Sequence, residues 1–117
     1  MIMAEDQEKA FDGKATAAKL PTRPGVYVMK DEGGTPLYVG KAKNLRKRVS
    51  SYFDGRPKVD RIMRMVSRIR QIEVSLTRTE GEALLLENEW IKSLKPRYNI
   101  LLRDDKSYTW MVLSTDH

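Results

Sequence analysis

A glutamate stands at position 87 where the helical period of its neighbours asks for an apolar side chain. At ~100° per residue, Ala83, Leu86, Trp90, Ile91 and Leu94 form one arc of a helix, and Glu87 falls near its middle, away from Asn88 and Lys92 on the polar side. A carboxylate facing the protein must be paired with a cation, protonated, or bound to a metal ion in a cleft. A structural ion pair with one of the chain's many arginines satisfies Glu87 as well as a metal does.

A second set of polar groups lies upstream. Arg48 and Tyr52 are one helical turn apart on the flank of an apolar stripe of Leu45, Val49 and Phe53, and Lys41 falls about two turns earlier on the same side if that helix is extended backwards. Arginine grips a phosphate through two parallel N–H donors, lysine offers a compact charge, and a tyrosine hydroxyl donates or accepts a proton. Such a row suits phosphate chemistry, although a solvated basic face with a half-buried tyrosine has the same spacing. Two further tripeptides, Gly25-Val26-Tyr27 and Tyr38-Val39-Gly40, stand ten residues apart, and the second runs directly into Lys41.

Composition narrows the chemistry. The 22 Lys and Arg against 16 Asp and Glu leave a net charge of +6, which suits a polyanionic partner. Lys43, Arg46, Lys47, Arg56, Lys58, Arg61 and Arg64 are the cations set to grip a nucleic-acid backbone, with salt-sensitive binding and little base readout. Cysteine is absent, which removes disulfides, a thiol nucleophile and a thiolate zinc site. The one histidine is His117, so any metal must be a hard cation held by oxygen. No apolar run approaches the roughly 18 residues that span a bilayer. Met1 to Glu8 is acidic and polar rather than signal-like, and a cytoplasmic protein without a membrane partner is expected.

The elements that must position these groups are legible. The 117 residues suit one domain. Lys14 to Leu20 could make a short helix before the punctuation of Pro21, Pro24 and Gly25. Val26 to Met29 and Pro36 to Val39 read as a hairpin around Asp31 to Thr35. Asn44 caps a helix running to about Phe53, and Gly55 and Pro57 end it. A second helix over Val59 to Ile69 places Val59, Ile62, Met63, Val66 and Ile69 inward and Arg61, Arg64 and Arg68 outward. From Gln71 to Thr77 the period switches to two, with Ile72, Val74 and Leu76 on one side of a third strand. Thr79 and Glu82 have capping-box spacing for a helix to about Leu94, which Pro96 stops. A last strand is expected over Tyr108 to Leu113. The fold class is α/β: a small domain with a central three-stranded, largely antiparallel sheet flanked by helices. Residues 1–19 read as an N-terminal extension, 20–102 as the functional domain, and 103–117 as a tail leading toward further domains.

Taken as an ordered set, Gly25-Val26-Tyr27, Tyr38-Val39-Gly40, Lys41, Arg48, Tyr52 and Glu87 resemble the GIY-YIG nucleases. Gly40 to Leu45, Ser51-Tyr52-Phe53, Glu82 to Glu87, Ile91-Lys92 and Pro96-Arg97-Tyr98-Asn99 narrow the likeness to the amino-terminal domain of the UvrC family of bacterial excision-repair nucleases. Arg103 to Tyr108 extends it into a tail that other GIY-YIG branches generally lack. The resemblance covers about Leu20 to Leu113, and departs where Thr109 and Trp110 follow Lys106-Ser107-Tyr108 in place of a proline.

That resemblance implies a DNA endonuclease domain that makes the 3′-side incision at damaged double-stranded DNA in bacterial nucleotide excision repair, by one-metal phosphodiester hydrolysis. It implies that Glu87 binds one Mg²⁺ or Mn²⁺, that Lys41 and Arg48 hold the phosphate, and that Tyr27 and Tyr38 position or deprotonate water. Tyr52 would orient a phosphate or water, and Asn99 would brace the site; on the residues alone Asn99 is equally a turn residue after Pro96. A phenol with a pKa near 10 is a poor base at neutral pH unless neighbouring cations lower it, a task open to Lys41, Arg48 and the metal. The implied partner is a UvrB–DNA complex, engaged through regions largely outside this chain, with the isolated domain a monomer.

Two rival readings stand beside this one. A stand-alone GIY-YIG or Cho-like repair nuclease would share the motifs, and the stretch from Pro96 to Tyr108 argues against it. A nucleic-acid-binding module without catalysis would bind independently of metal and would not need Tyr27, Tyr38, Arg48 and Glu87 together.

Overall fold

Five residues between two β-prone runs turn the chain back on itself. In the computed structural model of the chain, which describes residues 11–100, Asp31 Oδ1 accepts from the amides of Gly33 and Thr35, both at 2.9 Å. The hairpin strands are β1 (Gly25–Lys30) and β2 (Pro36–Ala42), each longer than the sequence pattern suggests. Their register pairs Tyr27 with Gly40, Met29 with Tyr38 and Val26 with Lys41. β3 (Gln71–Leu76) lies on the other side of β1, so the order is β2-β1-β3 and every pairing is antiparallel.

Three of the described helices begin where a side chain satisfies one of their first amides. Asp12 caps α1 (Gly13–Ala18) by accepting from the Ala15 amide, which starts that helix one residue before Lys14. Asn44 caps α2 (Leu45–Ser50) through the Lys47 amide at 3.0 Å, and the helix then tightens into a 3-10 turn over Ser51–Phe53. α3 spans Asp60–Arg68. α4 (Glu80–Leu94) opens on Thr79, which accepts from the Glu82 amide, while Glu82 reaches back to the Arg78 amide at 2.8 Å. It ends with Lys95 in the left-handed region at φ 48°, followed by Pro96. Residues 97–100 are helical again.

Alternation along β1 divides the interior in two. Tyr27 and Met29 join Leu45, Val49, Met65, Ile69 and Tyr98 on one face, with α2 and α3. Val26 and Val28 join Val39 on the other, where Ala83, Leu86, Trp90 and Ile91 of α4 close over them.

Several inward assignments need correction. On α3, Val59 and Met63 are 61% and 53% exposed, and Met65 is fully buried in their place. The buried arc is Ile62, Met65, Val66 and Ile69, because Val59 precedes the first helical turn as an extended cap residue. Leu76 at the end of β3 and Leu94 at the end of α4 are also exposed, since each lies at the end of its element. Lys41 does not extend the first helix backwards. It belongs to β2, and alternation sets it on the side opposite Gly40 and Ala42. The strand expected over Tyr108 to Leu113 lies outside the described residues.

Candidate active site

Three tyrosines from three places meet on one face of the sheet. Tyr27 comes from the middle strand β1, Tyr38 from β2, and Tyr52 from the 3-10 turn after α2. Their ring centroids are 6.3, 6.0 and 6.5 Å apart, a nearly equilateral triangle, with the pairs involving Tyr52 edge-on. The Tyr27 and Tyr52 hydroxyls share a 2.8 Å hydrogen bond.

The glycine of the second motif makes this arrangement possible. Gly40 lies directly across from Tyr27 in the hairpin, and a Cβ added there would run into the Tyr27 hydroxyl and ring. Gly25 is equally confined: its Cβ would strike the Ser75 carbonyl and come within 2.8 Å of Leu45. The two motif glycines therefore mark close approaches by a neighbouring strand, a helix and a phenol.

Arg48 stands at the rim of the triangle. Its Cζ is 5.6 Å from the Tyr52 ring centroid, within cation–π range, one turn along as the helical spacing requires. Its guanidinium is stabilised in the charged form, chiefly by the Tyr27 phenol and then by Tyr52 and Tyr38. Burial pushes the Tyr27 phenol well above the ordinary tyrosine range, and the neighbouring Tyr52 and Tyr38 add to the shift while Arg48 opposes it. Tyr52 is raised for the same leading reason. At Tyr27 and Tyr52 burial outweighs the opposing pull of Arg48.

Asn99 is tied to this assembly through backbone. Its Oδ1 accepts from the Val39 amide at 2.7 Å and its Nδ2 donates to the Val39 carbonyl at 2.9 Å. β2 is an edge strand, so the Asn99 amide supplies the partner that a further strand would provide, at the residue between Tyr38 and Gly40.

The remaining candidates lie on other parts of the fold. Glu87 lies half-buried on α4, the helix that packs on the second face of the sheet. Lys41 is half-buried near the end of β2. Carboxylates and phenols are hard oxygen donors of the kind a magnesium-like ion prefers. No group of three or more His, Cys, Asp or Glu is gathered for a metal among the described residues. Lys43, Arg46, Lys47, Arg61 and Arg64 are exposed. Arg46 Nε donates to the Leu20 carbonyl at 2.7 Å, and Lys43 lies 4.0 Å from Glu80. Arg56 and Lys58 are both held by Asp54, a residue absent from the sequence-derived set even though its spacing of two and four residues from those cations signals the contact. No helix among the described residues is long and apolar enough to cross a membrane.

Known proteins are similar to this chain in sequence and in fold. The family model described as a UvrC-like GIY-YIG domain matches residues 23–100. The UvrABC system protein C of Xanthomonas oryzae pv. oryzae (strain PXO99A) is 56% identical over 115 residues, covering 98% of this chain and 19% of the relative. That of Dechloromonas aromatica (strain RCB) is 64% identical over 105 residues, covering 90% of this chain and 17% of the relative. The chain thus spans about a fifth of the length of the curated relatives it matches. Among solved structures, the GIY-YIG N-terminal endonuclease domain of UvrC from Thermotoga maritima, bound to its catalytic magnesium, is similar with a TM-score of 0.67 and 35% identity, over 74% of this chain and 93% of that one. An asparagine-to-alanine point mutant of that domain, also bound to its catalytic divalent cation, matches with a TM-score of 0.66 and 34% identity, over 73% of this chain and 91% of that one.

Proposed function

This chain belongs to the UvrC-like GIY-YIG family, and from that membership we propose that it is the divalent-metal-dependent DNA endonuclease domain of a nucleotide-excision-repair nuclease. It makes the 3′-side incision in damaged duplex DNA in the cytoplasm, on DNA delivered by a UvrB complex that it meets through segments beyond this chain. The nuclease unit is residues 20–102, with 103–117 leading to the next domain. The observation that carries the reading is the triangle of Tyr27, Tyr38 and Tyr52 with the Arg48 guanidinium at its rim.

Phosphodiester hydrolysis needs a water placed in line with the leaving oxygen and positive charge on the phosphoryl oxygens. Arg48 grips those oxygens with its planar fork, and Lys41 adds a point charge. Tyr27 and Tyr52 are joined hydroxyl to hydroxyl, which orders the donor directions facing water and phosphate. Asn99 keeps Val39, and with it the neighbouring Tyr38, in place. A single Mg²⁺ or Mn²⁺, when bound, neutralises charge on the phosphate and the departing oxygen, and Glu87 is the residue that would hold it. Arg46, Lys47, Arg61, Arg64 and Lys43 add backbone grip without base readout.

The test is nicking of lesion-containing DNA loaded with the partner, comparing the native protein with Glu87→Gln in Mg²⁺. Loss of the 3′ incision with duplex binding retained is expected. Undiminished 3′ incision by Glu87→Gln would remove the metal assignment.

A further inference from the structure

The loop between the 3-10 turn and α3 carries a cluster that the hydrolytic reading leaves unused. Asp54 Oδ1 accepts from the Arg56 backbone amide and from Lys58 Nζ, both at 3.0 Å. Asp54 Oδ2 accepts from Arg56 Nε at 2.9 Å and lies 2.7 Å from Arg56 Nη2. Lys58 Nζ also donates to the Arg56 carbonyl at 3.1 Å. One carboxylate therefore collects a backbone amide, an arginine fork and an ammonium. The Arg56 side chain is the leading cause that holds the Asp54 carboxyl well below the usual carboxylate range.

These donors would converge in the same way on a phosphodiester. A guanidinium presenting two N–H groups, supported by an ammonium and an amide, is the arrangement by which proteins take backbone phosphates. The loop starts two residues after Tyr52, so it is anchored beside the tyrosine triangle, and the Arg56 side chain is 79% exposed at its surface. The arginine arm of the cluster is exposed and screened by water, which leaves it free to exchange partners, while the Asp54 and Lys58 side chains are 26% and 19% exposed.

We propose that Asp54 occupies a subsite for a DNA backbone phosphate built by Arg56 and Lys58, so that carboxylate and phosphate compete for the same donors. The inference rests on the reading of the chain as a DNA-cutting domain. It makes Asp54 a restraint on non-specific grip: duplex must displace an internal anion before these two cations count toward binding.

The test is fluorescence anisotropy with a labelled duplex of roughly 20 base pairs, in EDTA so that nothing is cut, between about 50 and 200 mM salt. Asp54→Asn and Asp54→Ser are compared with the native chain. Both variants should bind about three- to tenfold tighter at the lower salt, with a slope of log affinity against log salt steeper by about 1 to 2. Adding Arg56→Ala to Asp54→Asn should remove the gain. If the native chain binds duplex but neither Asp54 variant tightens or steepens, the subsite is overturned while the DNA reading stands. If native chain and variants alike show no salt-dependent affinity, the DNA reading fails and the subsite with it.

Discussion

The hydroxyl of Tyr27, from the middle strand, meets the hydroxyl of Tyr52, from the turn after α2, at 2.8 Å. One must donate and the other accept, and both rings are buried, Tyr27 to 1% exposure. The bond therefore couples strand to turn and fixes how the remaining proton and lone pairs can face a substrate. Because burial penalises either phenolate, the pair stays neutral across the physiological range.

Alkaline pH should loosen the fold through this pair. Both phenols have folded-state pKa values raised above those of the unfolded chain. Their stabilising contribution is thus complete below about pH 10 and is lost as pH rises from there through the folded values. Urea midpoints measured from pH 7 to pH 11 should fall in the upper part of that range, and less so in Tyr27→Phe. An identical decline in the two proteins would place the cause elsewhere.

Gly40→Ala should disturb the same pair from the opposite strand. The new methyl meets the Tyr27 hydroxyl, so the ring must shift and the bond to Tyr52 is strained or broken. A cost of about 1–3 kcal/mol is expected from such overpacking, together with loss of incision. Removing the obstructing oxygen tests the cause: Gly40→Ala with Tyr27→Phe should be less destabilised than the sum of the two single changes. Additive losses would separate Gly40 from the hydroxyl.

Much of this is legible in the residues alone, for reasons that differ by position. Asn44, Thr79 and Glu82 announce their helices because capping is local chemistry. The hairpin follows from Asp31 and its glycines. The Tyr52–Arg48 contact follows from helical spacing alone. Lys41 is misplaced when a helix is extended back through residues that in fact pair as a strand. Met65 escapes notice because Val59 and Met63 fit the same period, and the period cannot say which half of an apolar arc meets the sheet. The bonds from Asn99 to Val39 span sixty positions, and no local pattern encodes them.

Asn99→Ala should affect the edge of β2. It removes an acceptor for the Val39 amide and a donor for its carbonyl, both part-buried. A loss of about 1–2 kcal/mol is expected, with hydrogen exchange at the Val39 amide accelerated more than at Val28 on the central strand. Incision should drop while duplex affinity in EDTA holds. Unchanged protection at Val39 would show that water or another group replaces the amide without cost.

Arg48 separates chemistry from grip. If it only holds DNA, Arg48→Ala should weaken binding and incision by the same factor, since giving up one hold on a phosphate affects substrate and transition state alike. Its place against the Tyr52 ring, at the rim of the three phenols, argues that it meets the phosphate undergoing reaction. The expected result is an incision rate lowered by about 10²–10³ with duplex affinity reduced only a few-fold. Arg48→Lys keeps the charge but gives up the planar fork and much of the stacking on Tyr52, so it should restore binding and leave most of the rate deficit. Single-turnover incision on partner-loaded lesion DNA, set beside anisotropy on the same duplex in EDTA, reads the two quantities apart. Equal losses in both, or full rescue by lysine, would reduce Arg48 to a surface cation.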